Sequence, residues 1–495
     1  MRIKFIFISF VFILSGCSEE FLDRPPNARI TGGVFPANQE DAINALNSAY
    51  SSLRVWQYNC GGFPILDILA DDGTKGSNPG DAANLNLYDT FDHDATDENP
   101  RRWWASLYQA VRRANLVIES VPKLEDIDPE LQERIIAEAR FLRGLHYSIL
   151  IRAFGDVVVV TSSGVDYNDK KGRSPAEEVW NEVVFPDLEY AASVLPLRSE
   201  YSPENLGRAT KGTAQALLAR MYLFVGDYVN AEINALAVIN SQEYALETSF
   251  ADAFSEDIVF GKEAVFEIGA IATMGASEGG NQWAQTQGVR GDPNRGWGFN
   301  RPSYDFMQSI GDDPRLDKSV IFLGEVLDGF PIIGDDATPD TTYDINGNII
   351  EIECYNQKTW TPNEQDVKSR GVNRKIIRYS DVLLMAAEAL NENGKYGQAL
   401  TYLNEVRARA RGDNQSLLPD ITTTDQSALR NIIFDERGRE LAFEGLRFWD
   451  LVRTGRAIDV LGPLGFQQGK HELFPIPLSE IDNSNGAIEQ NPFYN

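Results

Sequence analysis

The sequence predicts a mainly α-helical protein, all-α apart from short β-hairpins, in which tetratricopeptide-like helical hairpins form a scaffold that a loop-rich insertion interrupts. Three observations support this prediction. The stretch that follows Pro129 has its apolar residues at helical spacing. The pattern G-x-Y-x-x-A occurs twice, each time between helix-forming segments. Residues 245–375, by contrast, are rich in Gly, Asn, Asp and Pro.

The N-terminal residues have the features of a signal peptide followed by a lipidation site. Arg2 and Lys4 precede an apolar run at 5–14 that is too short to span a bilayer. The run ends in Leu-Ser-Gly-Cys at 14–17, after which bacterial lipoprotein processing leaves an acylated cysteine at the new N-terminus. We therefore expect residues 1–16 to be a signal peptide, Cys17 to be lipidated, and residues 17–35 to form the lipid anchor and a linker.

Composition and charge exclude several classes of protein. Asp plus Glu number 73 against 45 for Lys plus Arg, so binding of nucleic acid through its phosphates is not expected. Three histidines and three cysteines, with no CxxC or HExxH string, argue against a zinc site, and we expect no metal and no cofactor. With Cys17 lipidated, Cys60 and Cys354 remain, and two buried free thiols are favoured over a disulfide.

The clearest single helix is predicted to begin at Asp128-Pro129, where a proline in the first turn is well tolerated. Its apolar stripe consists of Leu131, Ile135, Leu142, Leu145, Ile149 and Ala153. The next helix is predicted to have Ser174 as its N-cap, Pro175 as its first residue and Glu177 as the second arm of a capping box. Pro186 then predicts a kink or a break.

The G-x-Y-x-x-A repeat marks two helical hairpins, at 226–231 and 394–399. In each copy the glycine ends one helix, and the tyrosine and alanine allow the next helix to pack closely against it. Further helix pairs are predicted for 38–54 with 103–120 and for 129–154 with 175–195. The predicted organisation is one globular domain at 36–495, with scaffold at about 36–244 and 376–460, the insertion at about 245–375 and a tail at 461–495.

The insertion carries one clear hairpin signal. Residues 341–345 and 348–355 are strand-like runs separated by Asn346-Gly347, which favours a type I′ turn. The same string weakly resembles a calcium-binding loop, but its glycine is misplaced and its twelfth position carries no carboxylate, so a plain hairpin is favoured. After the insertion, residues 426–453 are predicted to form one further helix.

Acidic residues on that last helix are candidates for catalysis. Glu436, Glu440 and Glu444 are predicted to share one helix face, with Asp450 nearby, as paired carboxylates do in glycoside hydrolases and di-metal sites. Arginines are interleaved with them at 437, 439, 447 and 453, so we expect a structural ion-pair network. Because a carboxylate beside arginine has a lowered pKa and is a poor general acid, no catalytic residue is predicted.

The tryptophans fall into two groups. Trp103, Trp104, Trp180 and Trp449 lie on helical patterns and are predicted core residues. Two others lie in the polar, glycine-rich segment 275–301, where an indole is suited to stacking on a sugar ring, although a loop merely pinned by its tryptophans is an equal alternative. A similar loop runs from 56 to 99. The candidate ligand-binding residues are Trp283, Trp297, Tyr58, Tyr88, Asp71, Asp72, Lys75, Asn78 and Gln285.

Several further strings run along nearly the whole mature chain: Cys17 with Phe21-Leu22-Asp23, Arg113-Ala114-Asn115, AEARFLR at 137–143, Phe154-Gly155-Asp156, Gly207-Arg208-Ala209-Thr210, IRYSDVLL at 377–384, EGLRFWDL at 444–451, FPIP at 474–477 and Gln490-Asn491-Pro492. In content and order they resemble the SusD/RagB family, the surface lipoproteins of starch-utilisation-type uptake systems in Bacteroidetes. The chain departs from the family's pattern at Val157-Val158, where a proline is usual, and at Pro186.

This resemblance implies one helical body with four tetratricopeptide-like hairpins and no catalysis. Family members typically hold a glycan at the cell surface and cover a SusC-like, TonB-dependent transporter in the outer membrane. Ser18-Glu19-Glu20 resembles the acidic surface-export signal of Bacteroidetes lipoproteins. We therefore expect a surface-exposed, lipid-anchored, glycan-binding protein of the outer membrane. A peptide- or protein-binding relative and a glycoside hydrolase are the alternatives. The ligand loops vary within the family, so the candidate binding residues rest on the loop argument alone.

Overall fold

The computed structural model describes residues 35–164, 172–271, 281–362 and 371–494. The predicted signal peptide, Cys17 and nearly all of the predicted linker lie outside these residues. Among the helices within the described ranges, none combines the length and the apolar character that a bilayer span requires.

Helices dominate the described residues, which confirms the predicted fold class. The longer ones are α1 (Gln39–Ser51), α2 (Glu98–Ser120), α3 (Pro129–Phe154), α4 (Phe185–Val194), α5 (Lys211–Phe224), α6 (Tyr228–Ser241), α7 (Tyr379–Glu392), α8 (Tyr396–Arg411) and α9 (Gln426–Glu440). Shorter helices are Ile65–Ile68, Asn86–Asp89, Ala176–Val179, Gln282–Gln287, Tyr304–Ile310, Leu316–Ser319, Arg447–Arg453, Ala457–Leu461 and Leu478–Asn483. The short strands lie mainly in the predicted insertion.

Helix α3 begins as predicted, because the Asp128 carboxylate accepts a hydrogen bond from the Leu131 N–H at 2.9 Å and Pro129 is the first helical residue. The prediction for the next helix was wrong in its cap. That helix begins at Ala176, whose N–H donates to Asp156 Oδ1 at 2.9 Å. Pro175 occupies the N-cap position, and Ser174 lies one residue before it, where its backbone pairs with Val157 in an isolated β-bridge.

The irregularity predicted at Pro186 is present as a π-helical turn at Trp180–Val184, directly before α4. In this turn the Phe185 N–H bonds to the carbonyl of Trp180, five residues back. Proline has no N–H for the regular helical ladder, and a wider turn is one way in which a helix adjusts near it. The chain therefore continues into α4 and packs along α3, as predicted.

Both repeats form the turns of helical hairpins, as predicted. Gly226 separates α5 from α6 and Gly394 separates α7 from α8, with φ of 78° and 75°, a left-handed conformation that favours glycine. Ala231 and Ala399 are fully buried where the second helix of each hairpin crosses the first. Helices α6 and α7 also pack together, so the two hairpins are neighbours.

One large apolar cluster runs through the helices of the scaffold and reaches the strands Ala264–Ile268 and Arg374–Arg378. Trp103, Trp104, Trp180 and Trp449 all belong to it, which confirms their prediction as core residues. Cys60 and Cys354 are buried free thiols in separate clusters, so the favoured alternative for them is also confirmed.

The strands pair two by two, always antiparallel. The pairs are Gly73–Lys75 with Asn300–Pro302, Ala264–Ile268 with Arg374–Arg378, Val320–Phe322 with Cys354–Asn356, Val326–Leu327 with Phe330–Pro331, and Thr341–Tyr343 with Ile349–Ile352. The first pair is the one that matters most for the site, because it joins two loops more than two hundred residues apart in the sequence.

The hairpin predicted at 341–355 exists, but its turn type was predicted wrongly. A type I′ turn needs positive φ at both central residues, whereas only Gly347 has it here, at 84°. The loop runs from Asp344 to Asn348, and the Asp344 carboxylate accepts hydrogen bonds from the N–H groups of Asn346 and Asn348, both at 2.8 Å. Asp344 thus stabilises its own loop.

The predicted single helix at 426–453 is interrupted. Helix α9 ends at Glu440, Phe443 and Gly445 have φ of 62° and 73°, and a separate helix occupies Arg447–Arg453. The Phe443 N–H donates to Asp72 at 3.1 Å and the Gly445 N–H donates to Asp67 at 2.7 Å. The prediction failed because these bonds to a distant loop replace the helical ones.

Candidate functional site

The two loops that sequence analysis singled out meet in the structure. Strand Gly73–Lys75 pairs with Asn300–Pro302, and the next N–H, that of Gly76, donates to the Phe299 carbonyl at 3.1 Å. The approach continues at Gly76, where a Cβ atom would lie only 2.0 Å from the carbonyl oxygen of Gly298. Only glycine allows this contact, so the loop at 56–99 and the segment at 281–301 form one continuous surface.

Three half-buried aromatic residues, which we call the aromatic face, lie at this junction: Trp56, Phe63 and Trp297. The Trp56 ring meets the Trp297 ring edge to face at 6.1 Å and the Phe63 ring at 5.4 Å. Buried Phe299 supports the cluster from below, 5.6 Å from Phe63 and 5.8 Å from Trp297. The Trp56 indole N–H is fixed by a hydrogen bond to the Gly62 carbonyl. The rings are therefore held in place while part of their surface stays open.

A charged side chain borders the aromatic face. Arg290 forms ion pairs with Asp81 and with Asp335, the latter at 2.6 Å, and also donates to the Trp297 carbonyl at 3.4 Å. Arg290, Asp81 and Asp335 are only partly buried. Donors and acceptors thus lie beside a flat apolar surface, which is the combination that sugar hydroxyls and a sugar ring require.

Two predicted site residues support this border from behind. Lys75 is buried, and its ammonium group donates to the Asn78 carbonyl at 2.6 Å. The Asn78 side chain accepts hydrogen bonds from the N–H groups of Gly80 and Asp81, each at 3.0 Å. Burial lowers the pKa of Lys75. These residues fix the turn that presents Asp81, so the structure places Lys75 behind the surface and not on it.

The other predicted residues of the 281–301 segment also lie near the aromatic face. Trp283 is half-buried and carries the Arg374 guanidinium 5.0 Å above its ring. Gln285 is buried, and its carbonyl accepts the Trp297 N–H at 2.9 Å. Within the described residues its side-chain amide has no hydrogen-bond partner. Gln285 is therefore a support for Trp297, and Trp283 is a second, separate ring surface.

Both predicted tyrosines belong to the interior. The Tyr58 hydroxyl bonds to His146 Nδ1 at 2.9 Å, and the Tyr88 hydroxyl donates to Asp97 at 2.7 Å. The relative exposure is 5% for Tyr58 and 0% for Tyr88, and burial raises the pKa of both hydroxyl groups. The expectation that they offer stacking surfaces is thus corrected: their aromatic rings fill the core beneath the loops.

Asp71 and Asp72 face a different place, an open cleft of about 770 Å³ between the 68–74 loop, helix Tyr304–Ile310, the hairpin at 341–352 and the C-terminal helices. Asp71 forms a bidentate ion pair with Arg447 at 2.7 and 2.8 Å. Asp72 is buried and accepts the Phe443 N–H, and burial, with Asp67 and Asp71 nearby, raises its pKa well above its usual range. The structure therefore does not bring them together with the tryptophans.

The carboxylates considered for catalysis are enclosed by cations, as predicted. Glu440 contacts Arg315, Arg378 and Arg409, and Glu444 contacts Arg378 and Lys358. Burial alone would raise the pKa of Glu440, but these guanidinium groups hold it well below its usual range. The partners differ from the interleaved arginines of the prediction, since Arg437 and Arg453 bind Asp450 instead.

The candidate binding residues chosen from the sequence do not include Trp56, Phe63, Asp81 and Arg290. Trp56 opens one of the two loops and Arg290 lies in the other, but nothing in their local pattern separates them from residues that merely pin a loop. Their proximity is a consequence of the long-range strand pairing. Among the described residues, moreover, there is no group of three or more His, Cys, Asp or Glu side chains that could hold a metal ion.

The fold and this site define a class of protein: a tetratricopeptide-like helical scaffold that presents an aromatic surface on paired loops. Two family models match the chain, one described as the SusD family over residues 262–465 and one as starch-binding associating with outer membrane over residues 45–223. Together they cover most of the chain in consecutive order. The chain belongs to the SusD family, which confirms the resemblance.

Relatives extend over the whole chain. The SusD-like protein P2 of Formosa agariphila is 28% identical over 520 residues, which cover 100% of this chain and 100% of that protein. The starch-binding protein SusD of Bacteroides thetaiotaomicron is 25% identical over 449 residues, covering 78% of this chain and 76% of that protein. Among solved structures, a laminarin binding SusD-like protein superposes with a TM-score of 0.77 at 26% identity, covering 92% of this chain and 100% of that one.

Proposed function

We propose that this protein is a non-enzymatic, surface-exposed lipoprotein that captures an oligo- or polysaccharide and delivers it to a SusC-like, TonB-dependent outer-membrane transporter. The observation that carries the proposal is the aromatic face of Trp56, Phe63 and Trp297, with the Arg290–Asp81 ion pair at its border. Cys17 supplies the lipid anchor in this proposal, and membership of the SusD family supports the location and the partner.

The aromatic face suits a sugar ring for physical reasons. The apolar side of a pyranose can cover an indole and displace water from it, while its equatorial hydroxyls point outward towards donors and acceptors at the rim. Trp56 and Trp297 meet at 72°, so they offer two differently oriented surfaces to successive sugar units. Because their positions are already fixed by packing, little conformational entropy is lost on binding.

The names of two similar proteins support carbohydrate as the ligand. One relative is named as a starch-binding protein, and a solved structure at 26% identity is described as laminarin binding. Glycoside hydrolysis is disfavoured because Glu440 and Glu444, the strongest candidates in the sequence, have pKa values lowered below the usual range by neighbouring arginine and lysine side chains. Peptide binding is the remaining alternative, and the experiment below decides between the two ligands.

The test measures binding of the lipid-free protein to a panel of polysaccharides, their hexasaccharides and a set of mixed peptides, by affinity gel retardation and calorimetry. We expect selective binding of a glycan with no release of reducing ends. Trp297→Ala and Trp56→Ala should each weaken that binding by about thirtyfold, the usual cost of truncating an aromatic anchor. Trp283→Ala tests whether the second ring surface belongs to the same site.

Tyr343→Ala is the matched control, because Tyr343 is an aromatic residue 59% exposed on the hairpin at 341–352, away from the aromatic face. It should bind the glycan like the parent. Thermal melts establish that each variant is folded. Unchanged affinity in both Trp56→Ala and Trp297→Ala would refute the site, release of reducing ends would refute the non-enzymatic assignment, and selective peptide binding would refute the glycan.

A further inference from the structure

A small cavity of about 90 Å³ lies beneath the loops that carry the aromatic face. It is enclosed by α3, α5, the strands Ala264–Ile268 and Arg374–Arg378, and the segments at 58–60 and 444–446. A cavity of this size holds several water molecules or one small polyatomic ion. It is therefore large enough for a substituent of a ligand, though not for a sugar ring in addition.

Of the residues that the structure describes, four cationic side chains line this cavity and one carboxylate does, that of Glu444. Three of the charged groups are neutralised locally. Arg220 donates to Asp381 at 2.6 Å, Lys375 is paired with Glu267, and Glu444 itself is bound by Arg378 and Lys358. The remaining two cations are Arg152 and Arg374.

Arg152 and Arg374 have no ion-pair partner among the residues that the structure describes. Arg152 is only 8% exposed, and its one hydrogen bond in that part of the chain runs from Nε to the Ser148 carbonyl at 2.9 Å. Its guanidinium lies 5.3 Å above the Trp449 ring and 5.8 Å above the Phe224 ring. Burial, with Arg220 nearby, lowers the pKa of Arg152 to about 9.

Within the described part of the chain, no anion balances the charge of either guanidinium, and the acceptor that Arg152 does have is the neutral Ser148 carbonyl. Aromatic faces attract a guanidinium but accept no in-plane hydrogen bond from its N–H groups. Asp67 lies close enough to influence the pKa of Arg374, but its oxygens accept hydrogen bonds from Gly445 and Asn300 instead. A buried cation without an anion is costly, and an oxyanion that accepts several guanidinium N–H groups is the ligand that removes this cost.

The cavity adjoins the second ring surface, that of Trp283. Arg374 lines the cavity and is half-buried, and its guanidinium lies over Trp283. Tyr58 and Asn59, which line the cavity, belong to the loop that begins with Trp56. A sugar that stacks on a ring at the surface can therefore direct one substituent inward between Arg374 and Arg152.

We infer that this cavity binds an oxyanion carried by the glycan, the carboxylate of a uronic acid or a sulfate ester, so that the ligand is an acidic polysaccharide. The inference rests on the proposed glycan-binding function and narrows its ligand class. The net charge of the chain is −28, so an acidic ligand is repelled from most of the surface. A local positive charge therefore directs such a ligand to this one cavity.

The test uses calorimetry with four hexasaccharides: laminarihexaose and cellohexaose as neutral probes, hexagalacturonate as the carboxylate probe and a κ-carrageenan hexasaccharide as the sulfate probe. We expect at least one anionic probe to bind ten times or more tightly than both neutral ones, more weakly as salt rises. Arg374→Gln and Arg152→Gln should each lower the affinity for the anionic probe to that for the neutral probes. The two anionic probes distinguish the carboxylate from the sulfate.

Arg140→Gln is the matched control, since Arg140 lies on the same helix and stacks 4.3 Å above the Tyr190 ring but does not line the cavity. It should retain the preference. If Arg152→Gln fails to fold, half-buried Arg374→Gln decides the matter. Equal binding of charged and neutral glycans, or a preference that both arginine variants keep, overturns the inference while glycan binding stands. If inorganic sulfate stabilises the parent but not Arg374→Gln, and no anionic glycan is preferred, the cavity binds only a free ion and the inference is also overturned. If the parent binds no glycan at all, the proposed function is refuted instead.

Discussion

The interior of the helical scaffold and the aromatic face use the same types of residue in opposite ways. In the scaffold, Trp103 and Trp104 are 2% and 1% exposed, and Glu440 has three arginine partners. On the aromatic face, Trp56 and Trp297 keep part of their rings open, and the Arg290–Asp81 pair stays within reach of solvent. Residue type alone therefore does not separate a stabilising group from a binding group.

What separates the two regions is how completely each group is satisfied. A fully packed ring or a fully paired charge contributes to the free energy of folding and has nothing left for a ligand. A ring packed on one side only, or an ion pair at partial exposure, contributes less to folding and retains a surface that a ligand can cover. The following predictions test this contrast, from the scaffold interior, where the largest effects are expected, to the hairpin turns, where the smallest are expected.

The largest effect is expected for Trp104→Ala, which removes a fully buried ring that packs against Phe154 at 5.0 Å. Its unfolding free energy should fall by about 3–5 kcal/mol. Trp297→Ala should lower the unfolding free energy clearly less, because the half-buried Trp297 side chain leaves a smaller cavity when it is removed. Chemical denaturation of both variants measures the difference, and equal losses would contradict the contrast between the two regions.

Glu440→Gln should reduce the unfolding free energy by about 3 kcal/mol. The substitution removes a negative charge from a buried site in which three guanidinium groups remain. The loss is smaller than for Trp104→Ala since glutamine keeps the shape and one acceptor oxygen. Glycan affinity of the folded protein should stay within twofold of the parent. A stable variant that has lost binding would instead place Glu440 in the functional site.

Asp67 provides the opposite case, a buried carboxyl group without an ion-pair partner in the described residues. Burial raises its pKa to about 7, from about 4 in an unfolded chain, with Asp72, Glu444, Arg374 and Lys358 around it. Between about pH 4 and pH 7 the Asp67 carboxyl group is protonated in the native state but ionised in the unfolded chain. Its stabilising contribution is therefore fully present below about pH 4 and is lost as the pH rises through 7. Between pH 5 and pH 8 the parent should lose about 2 kcal/mol relative to Asp67→Asn.

The same pH series on Glu440→Gln gives a check of opposite sign. The Glu440 pKa is lowered, so its contribution is present above about pH 4 and is lost as the pH falls. The deficit of Glu440→Gln should therefore shrink on acidification, whereas the advantage of Asp67→Asn should grow on alkalinisation. Denaturant titrations at pH 3, 4, 5, 7 and 8 measure both trends. Parallel curves for Asp67→Asn and the parent would show that Asp67 is not protonated in the native protein.

The smallest effect is expected at the hairpin turns. Gly226→Ala should cost about 1 kcal/mol, because its φ of 78° strains an L-residue although no heavy atom lies within 4 Å of the added Cβ. Gly397→Ala is the control in α8, where the added methyl also meets nothing and should stabilise the helix slightly. Thermal melts compare the two, and a shift of the same sign in both would contradict the role of Gly226 as a turn.

Local signals predicted the scaffold well and the insertion less well. Asp128-Pro129 and the two G-x-Y-x-x-A repeats depend on neighbours within one or two helical turns, and all of them are confirmed. The cap at Ser174 and the helix across 441–446 were predicted wrongly, because Val157, Asp67 and Asp72 supply competing hydrogen bonds from far away in the chain. Periodicity cannot register such partners.

Local spacing, and strings that run in order along the chain, are sufficient to predict the helical hairpins, the buried tryptophans, the arginine-bound carboxylates and the family of this protein. Which loop residues share a surface depends instead on long-range contacts of the folded chain. The pairing of Gly73–Lys75 with Asn300–Pro302 brings Trp56 to Trp297 and Asp81 to Arg290, while it leaves Tyr58 and Tyr88 inside and Asp71 in another cleft. A loop residue's exposure is set by contacts hundreds of residues away, and no local pattern contains them.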